Sequence, residues 1–480
     1  MQPSKLVILL SFCGFGLLTA AQTTRNSENY VEQINFQQLS SAKLAIIQTT
    51  NLTLEKNKAK QTAKPVEILF AAKKMELSSV TPFLSFSCGW NEIADAANNS
   101  QLYIRFSADG SKWKEWTEVK QDEHYEKTKY SRVSSIIYAD AVERYYQLKV
   151  ISNKEKKGNV IEYLFLNFFS PGKKIENEPA DITLTPDQPT PSGTTITCNC
   201  ALPSFANRAG WGCPQAPWNP STTNVTHLIV HHSAGANTSS DFSATVLSIW
   251  NSHTGTNGYS DIGYNWLIDP NGVIYEGRYK SSTENSTGAH FCGTNGGTMG
   301  VCMLGTYTTE TATAAAKNAL VRLLSWKVCE RNIDPSATLF HSSSNLTINT
   351  ISGHRQGCAT ECPGTLLYAD LPAIRSAVQS YCENGCTLTP VIEVDGLESF
   401  NVSPNPSTGS AWLRIKLNAV KTVQYKIIGA DGKTHYSSAL QKWSGLQIHE
   451  LTAVNDLPKG VYMLQLQIGH QSVSQQFIKQ

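Results

Sequence analysis

Charge is scarce in this 480-residue chain: 16% of residues are Asp, Glu, Lys or Arg, and 40 basic residues face 38 acidic ones. With neither sign in excess and 40% of residues hydrophobic, the composition excludes a disordered acidic tail and a basic phosphate binder, so nucleic acid is not an expected partner. Beyond the extreme N-terminus no apolar run approaches the ~18 residues that span a bilayer, which excludes a multi-pass membrane protein and leaves no membrane span once that segment is removed. Helical periodicity is poor in the first third of the chain. At roughly 150 residues per domain, the length predicts about three domains rather than one compact fold.

What is present begins with a secretory pattern. Lys5, the apolar stretch Leu6 to Leu18 and the small residues Thr19-Ala20-Ala21 have the layout of a signal peptide over residues 1–21, cut after Ala21. Cys13 follows bulky Phe12 inside the apolar run, which argues against a lipidated cysteine at the cut. Of 12 cysteines, removing Cys13 leaves 11, a density that suits an oxidising compartment and disulfides. The odd count leaves at least one thiol with another job. Ten of the 11 fall between Cys198 and Cys386, with Cys88 isolated upstream. If Cys362 is unpaired, either Cys88 reaches across or further thiols stay free.

Residues 22–169 carry short β-rich runs at 66–70, 102–106, 145–151 and 163–169, separated by turn signals such as Asp109-Gly110 and Lys157-Gly158-Asn159, so an antiparallel β-sandwich is expected. Trp113 and Trp116 in this stretch suit packing first, and stacking on a sugar second. Residues 170–197, with Pro171, Pro179, Pro186, Pro189 and Pro191 among Thr, Ser and Asp, read as a linker. From 198 to 386 strands and helices alternate, giving an α/β domain with a mixed sheet flanked by helices: strands at 227–231, 264–268 and 300–304, and helices at 240–253, capped by Ser239 or Ser240, at 311–331 and at 371–379. Residues 398–480 return to short strands, at 412–417, 423–428 and 461–468, and read as a small β-sandwich.

In the strand His227-Leu228-Ile229-Val230-His231, followed by His232, alternation lets only one of the adjacent histidines face a given site. Downstream, His354 and Cys362 sit in a loop-like segment. Two imidazoles and a thiolate would hold Zn²⁺ at three corners and leave the fourth for water, the open arrangement of a catalytic zinc. The spacing alone matches no short structural zinc motif. Two other readings use the same residues: a thiol hydrolase with Cys362 as nucleophile and His354 as base, and a Cys358–Cys362 disulfide that removes the ligand. Alternation places Tyr264, Trp266 and Ile268 on one face, so the residues alone read Tyr264 as a core tyrosine.

The segments Leu228-Ile229-Val230-His231-His232-Ser233-Ala234-Gly235, Asp261-Ile262-Gly263-Tyr264-Asn265-Trp266-Leu267-Ile268, Gly288-Ala289-His290, and Gly353-His354-Arg355 through Thr360-Glu361-Cys362-Pro363-Gly364 occur in the order seen in peptidoglycan recognition proteins. Over residues 205–380 the chain resembles that family, the zinc-dependent N-acetylmuramoyl-L-alanine amidases. The resemblance implies that His231, His354 and Cys362 bind Zn²⁺ while His232 points away. It also implies that Tyr264 is the catalytic tyrosine and that Thr360 assists at the substrate carbonyl. His290 and Asn295 are then cleft residues for glycan or stem peptide, with a structural hydrogen-bonding role as the alternative for His290. Family members that only bind the cell wall typically lack the cysteine ligand, so its retention implies hydrolysis of the lactyl amide between N-acetylmuramic acid and L-alanine; the alternative is a non-catalytic peptidoglycan binder. The insert Tyr279 to Thr287 is longer than the family's usual link there and leaves the stem-peptide preference open. Residues 103–116 loosely resemble accessory modules ahead of secreted bacterial amidases. Ser403-Pro404-Asn405-Pro406-Ser407-Thr408-Gly409, Gly429-Ala430-Asp431-Gly432-Lys433 and Leu457-Pro458-Lys459-Gly460-Val461-Tyr462 resemble the C-terminal sorting domain of the type IX secretion system. That implies the secretion machinery and peptidoglycan as partners, and a location outside the cell or on its outer surface.

Overall fold

The computed structural model describes residues 25–36, 46–50, 52–55, 58–61, 66–92, 100–126, 129–152, 161–174, 198–214, 220–279, 284–386, 396–405, 407–469 and 471–480. The signal peptide, the turn at 157–159, most of the linker, residues 280–283 of the insert and Pro406 lie outside the described residues.

Two antiparallel sheets make up the N-terminal body. One runs Glu28–Asn35, Ile161–Ser170, Phe83–Glu92, Arg132–Val133, with Ile137–Asp140 also on Phe83–Glu92; the other runs Ile46–Thr50, Val66–Phe70, Tyr145–Ser152, Ser100–Ser107, Thr117–Glu118, with Lys73–Lys74 on Tyr145–Ser152. Alternation supplies the core between them, with Ile104, Phe106, Leu148 and Val150 from one sheet meeting Leu84, Phe86, Leu164 and Phe168 from the other. The strand Phe83–Glu92 is buried on both faces from Leu84 to Trp90. Its outer face carries Ser85 and Ser87 and is covered by the central body. The sequence does alternate, Leu84, Phe86, Cys88 and Trp90 inward against Ser85, Ser87 and Gly89, a strand pattern that the sequence reading passed over. Trp113 and Trp116 lie under cations, with the Arg105 guanidinium 5.0 and 4.5 Å from their ring centres and Lys149 4.8 Å from that of Trp116.

The central body is a five-stranded mixed sheet. Its strands are β1 (His227–His232), β2 (Trp266–Ile268), β3 (Ile274–Glu276), β4 (Thr298–Met303) and β5 (Ile351–Gly353), in the order β3-β2-β4-β1-β5. All neighbours are parallel except β2 and β3. Helices α2 (Ala314–Arg331) and α3 (Thr365–Glu383) cover one face, where Leu228 and Val230 of β1 and Trp266 and Ile268 of β2 join Leu320, Leu324, Leu367 and Leu371. Helix α1 (Phe242–Asn251) covers part of the other face through Val246 and Leu247, against Leu267 and Cys302. Two boundaries differ from the sequence expectation. Helix α1 is capped by Asp241, whose carboxylate accepts from the Ala244 N–H at 3.0 Å, and Ser239 instead accepts from Asp241 N. Helix α3 begins six residues before the expected start at 371. Pro372 reads as a first-turn proline, but burial of Leu367 and Leu371 continues the helix upstream.

The C-terminal strands form one hydrogen-bonded sheet of six strands rather than two separate sheets. The expected runs 412–417 and 423–428 are a single strand, Trp412–Gly429, with a register irregularity between Leu417 and Lys421. The bend lets one strand serve both halves of a sheet folded around Leu413, Ile415, Ile427, Leu464 and Phe477.

Candidate metal centre

Along β1, His227, Ile229 and His231 point to the sheet face away from α2 and α3, and His231 is fully buried there. His354 follows directly on β5, the strand paired parallel to β1, and is 1% exposed. Cys362 lies in the loop between β5 and α3 and is also fully buried. Its Sγ sits 3.7 Å from His231 Nδ1 and accepts from the backbone N–H of His232 at 3.3 Å. The structure thus brings together three residues spread over 131 positions of sequence.

A fourth residue completes the cluster. His124, from the loop after Thr117–Glu118 in the N-terminal body, enters from outside, its ring stacked 5.1 Å from that of His354 and tilted 5.8 Å from that of His231. The ligating atoms of His124, His231, His354 and Cys362 all lie within 4.8 Å of one another. A tetrahedral zinc with ordinary N and S bond lengths needs separations of roughly 3.3–3.6 Å, so a small contraction closes the set. Two ring nitrogens of this cluster, His354 Nδ1 and His124 Nε2, are buried without a hydrogen-bond partner. Orphaned buried acceptors are costly, and here both belong to the cluster. The donor set and these orphans fit a zinc ion. Two further groupings of soft side chains are already spent: Cys198–Cys329, Cys200–Cys386 and Cys292–Cys358 are disulfides. Cys358 therefore pairs with Cys292 and leaves Cys362 outside any disulfide, like Cys88, Cys213, Cys302 and Cys382.

The ring of His231 is fixed from behind. Its Nε2 lies 3.0 Å from His290 Nδ1, His290 Nε2 lies 3.3 Å from Thr298 Oγ1, and Thr298 Oγ1 donates to the Asn295 carbonyl at 2.8 Å. Because the last group is a carbonyl and can only accept, the protons run one way: Thr298 gives to Asn295, His290 Nε2–H to Thr298, and His231 Nε2–H to His290. His231 Nδ1 is left with its lone pair toward Cys362 and His354. Burial, with Arg278 and His124 adding to it, lowers the His290 pKa to about 3, so this ring stays a neutral acceptor. Gly288 and Gly300 make the space: a Cβ on either would come within 2.3 or 2.5 Å of His290 Cδ2. Asn295 Oδ1 accepts from the backbone N–H of both His290 and Phe291. His290 and Asn295 thus stand behind the His231, His354 and Cys362 cluster, and His290 is fully buried.

Burial first, then the neighbouring His354 and His290, holds His231 well below the usual histidine pKa; burial, His124 and His290 do the same for His354. Neutral imidazoles are what a cation requires. Burial opposes charge on His124 as well, but a Cys362 thiolate and the Asp122 carboxylate, 3.1 Å from its Nδ1, outweigh it and raise its pKa.

Tyr264 precedes β2 rather than lying within it, so the alternation linking it to Trp266 and Ile268 does not apply. It packs with Leu267 and Cys302 on the other face, its ring 5.3 Å from that of His231. Burial, followed by the nearby Cys302 and Cys362, raises its phenol pKa well above the ordinary value. Thr360 Oγ1 donates to Glu123 Oε2 at 2.6 Å and accepts from Cys362 N at 3.0 Å. His232 accepts from Tyr307 N and borders a cavity of about 520 Å³ between the N-terminal and central bodies, together with Glu123, His124, His253, Tyr264 and Glu361. Sequence reading missed Asp122, Glu123, His124 and Glu126. The one local signal is an acid two residues before a histidine, Asp122-Glu123-His124, and only the docking of two bodies gives it meaning.

A family model described as N-acetylmuramoyl-L-alanine amidase matches residues 221–365, and one described as a secretion system C-terminal sorting domain matches residues 401–480. Peptidoglycan-recognition protein SC1a of Drosophila melanogaster is 33% identical over 168 residues, which is 34% of this chain and 82% of that relative. A human N-acetylmuramoyl-L-alanine amidase is 31% identical over 172 residues, 35% of this chain and 27% of that one. The solved structure of wild-type Drosophila PGRP-LB aligns at 28% identity over 35% of this chain and 91% of its own, with a TM-score of 0.29. The chain belongs to the family of peptidoglycan-recognition proteins and N-acetylmuramoyl-L-alanine amidases, and ends in a secretion-system sorting domain.

Proposed function

We propose that this chain is an exported zinc-dependent N-acetylmuramoyl-L-alanine amidase that hydrolyses the lactyl amide between N-acetylmuramic acid and L-alanine in peptidoglycan. The observation that carries the reading is the convergence of His231, His354 and Cys362 with His354 Nδ1 buried and unpartnered. A bound zinc ion would supply a water acidified from a pKa of ~15.7 to about 7 and a Lewis-acid contact for the carbonyl. The chain's own residues do the rest. His231 and His354 present neutral nitrogens, and Cys362 contributes one negative charge. The chain from His231 through His290 and Thr298 to Asn295 holds the first ring in the tautomer that keeps Nδ1 free. With its raised pKa the Tyr264 phenol stays protonated, and as a cavity-lining donor it can hydrogen-bond the carbonyl oxygen as that atom gains negative charge, or pass a proton toward the leaving nitrogen. The Thr360 hydroxyl, two residues before Cys362, is a second donor once its bond to Glu123 is released.

The sorting tail and the secretory N-terminus support passage by the type IX system to the cell surface or beyond, with peptidoglycan as the partner there. The second reading is a peptidoglycan binder without hydrolysis, favoured by relatives named only for recognition. Purified wall is incubated with the protein, and new N-terminal alanine is measured with and without chelator and after zinc is restored. Alanine release that chelation stops and zinc restores supports the amidase. Wall binding without release, from the full chain and from a variant in which the contact of residues 122–126 is broken, overturns it.

A further inference from the structure

We propose that residues 122–126 of the N-terminal body are a built-in inhibitor of the central site, with His124 as a fourth metal ligand that occupies the position a catalytic zinc keeps for water. The proposal rests on the metal reading above. Three protein ligands leave zinc open for catalysis, whereas four close it as a structural site. His124 Nε2 is buried, unpartnered and within reach of the other three ligand atoms, while Nδ1 is held by Asp122 Oδ1, itself an acceptor for the His124 backbone N–H at 2.9 Å. A carboxylate behind a ligating imidazole fixes the ring and raises its basicity, so His124 has the support expected of a ligand rather than of a passing surface residue.

The flanking glutamates fasten the loop to the groups the reaction would use. Glu123 Oε2 accepts from Thr360 Oγ1 at 2.6 Å and from the Glu361 N–H at 2.9 Å. Glu126 Oε1 accepts from the Gly293 N–H at 3.0 Å and from Asn295 Nδ2 at 2.9 Å, and the Glu126 N–H donates to Tyr259 at 2.9 Å. With this loop in place, a substrate carbonyl reaches neither the metal position nor Thr360.

The contact is also built to be reversible. The N-terminal body keeps its own core, separate from that of the central sheet. The two meet through polar pairs, Ser87 with Thr256 at 2.7 Å, Asn167 with Asn251 at 2.8 Å, and Arg25 with Asp241, the cap of α1, at 2.7 Å, and through a smaller apolar contact in which Phe169 and Ile136 join Phe242 and Val246. A mixed face with these polar pairs can separate without unfolding either body, and such interfaces permit relative motion. The central site is then latent until the sandwich is drawn aside.

The test replaces zinc by cobalt(II) in the full chain and titrates azide, a small anion that enters only an open coordination position, while following the visible absorption bands. The expected result is no azide response in the wild-type chain and a saturable one in His124→Ala, with alanine release from wall rising roughly tenfold or more as the open fraction grows. If His124→Ala does not fold, the double variant Glu123→Gln/Glu126→Gln keeps the ligand but loosens the loop, and an azide response between the two extremes is expected. An azide response in wild type equal to that of His124→Ala, or a double variant as closed as wild type when His124→Ala is lost, overturns the inhibitor while leaving the amidase reading intact. Absence of cobalt bands in every form overturns the metal site and the inhibitor together.

Discussion

Replacing His290 by Ala tests whether the metal ligand is positioned from behind. His290 is fully buried and accepts the proton of His231 Nε2 at 3.0 Å. Its removal strands that N–H in a dry interior, which costs about 1–3 kcal/mol, and frees the His231 ring to rotate away from Cys362 and His354. Loss of an outer-shell partner typically lowers metal affinity about 10- to 100-fold, equivalent to about 1.4–2.7 kcal/mol, so the two independent magnitudes agree. The assay is zinc competition against a chromophoric chelator, alongside urea unfolding of the metal-free protein. Gly300→Ala is the companion variant, because its Cβ would lie 2.5 Å from His290 Cδ2 and displace the ring without deleting it. Thr298→Val removes the acceptor at the far end of the chain and should weaken zinc binding less than either. If His290→Ala loses stability but its zinc affinity stays within about threefold of wild type, the positioning role is refuted and the ring is only packing.

Three further outcomes are expected. Asp269 is fully buried, and burial, only partly offset by hydrogen bonds from Val273, Tyr275, Asn271 and Gly272, raises its pKa from the ordinary carboxylate value to about 7. A carboxyl whose folded pKa is raised contributes stability that is present below its unfolded pKa and lost as pH rises through the folded one. Asp269→Asn should therefore gain on wild type in urea unfolding between about pH 4 and pH 7 and hold that advantage above; a constant difference across the range would refute the assignment. Replacing Cys292 and Cys358 by Ala opens a loop spanning 66 positions, and the chain-entropy relation gives up to about 4 kcal/mol of lost stability, read by thermal unfolding with and without reductant. Trp326, 1% exposed between α2 and the sheet, packs edge-on at 5.8 Å to Trp266, and Trp326→Ala should cost about 3–5 kcal/mol in denaturant unfolding with no direct change at the metal ligands.

The α/β order of the central body was legible because β1 and β4 have apolar centres, Leu228-Ile229-Val230 and Val301-Cys302-Met303, and α2 has a cap and a left-handed stop at Asn332. Phe83–Glu92 was legible in the alternation of Leu84, Phe86, Cys88 and Trp90 with Ser85, Ser87 and Gly89 but was passed over; what its sequence hides is that the outward serines are buried, so polarity did not report exposure. His231, His354 and Cys362 were reached through an ordered set of motifs; their spacing alone matched no known ligand pattern. Tyr264 was misplaced on its face because a three-residue strand carries too little alternation to extend backward. His124 was beyond reach altogether: its partner His231 lies 107 positions downstream, and the contact arises from domain docking rather than from any local pattern. His290 showed the chemistry of a cleft residue, and only burial and the direction of three hydrogen bonds reveal that it works from behind.

Cys200 and Cys386 sit at opposite ends of the central body, yet their Cα atoms are 5.3 Å apart. A segment whose entrance and exit are stapled side by side imposes almost no spatial demand on what precedes or follows it. Such a unit can be transplanted between unrelated neighbours, or nicked on either side, and still keep its shape. The bridge makes the central body a cassette, exchangeable by recombination while its flanking pieces evolve separately.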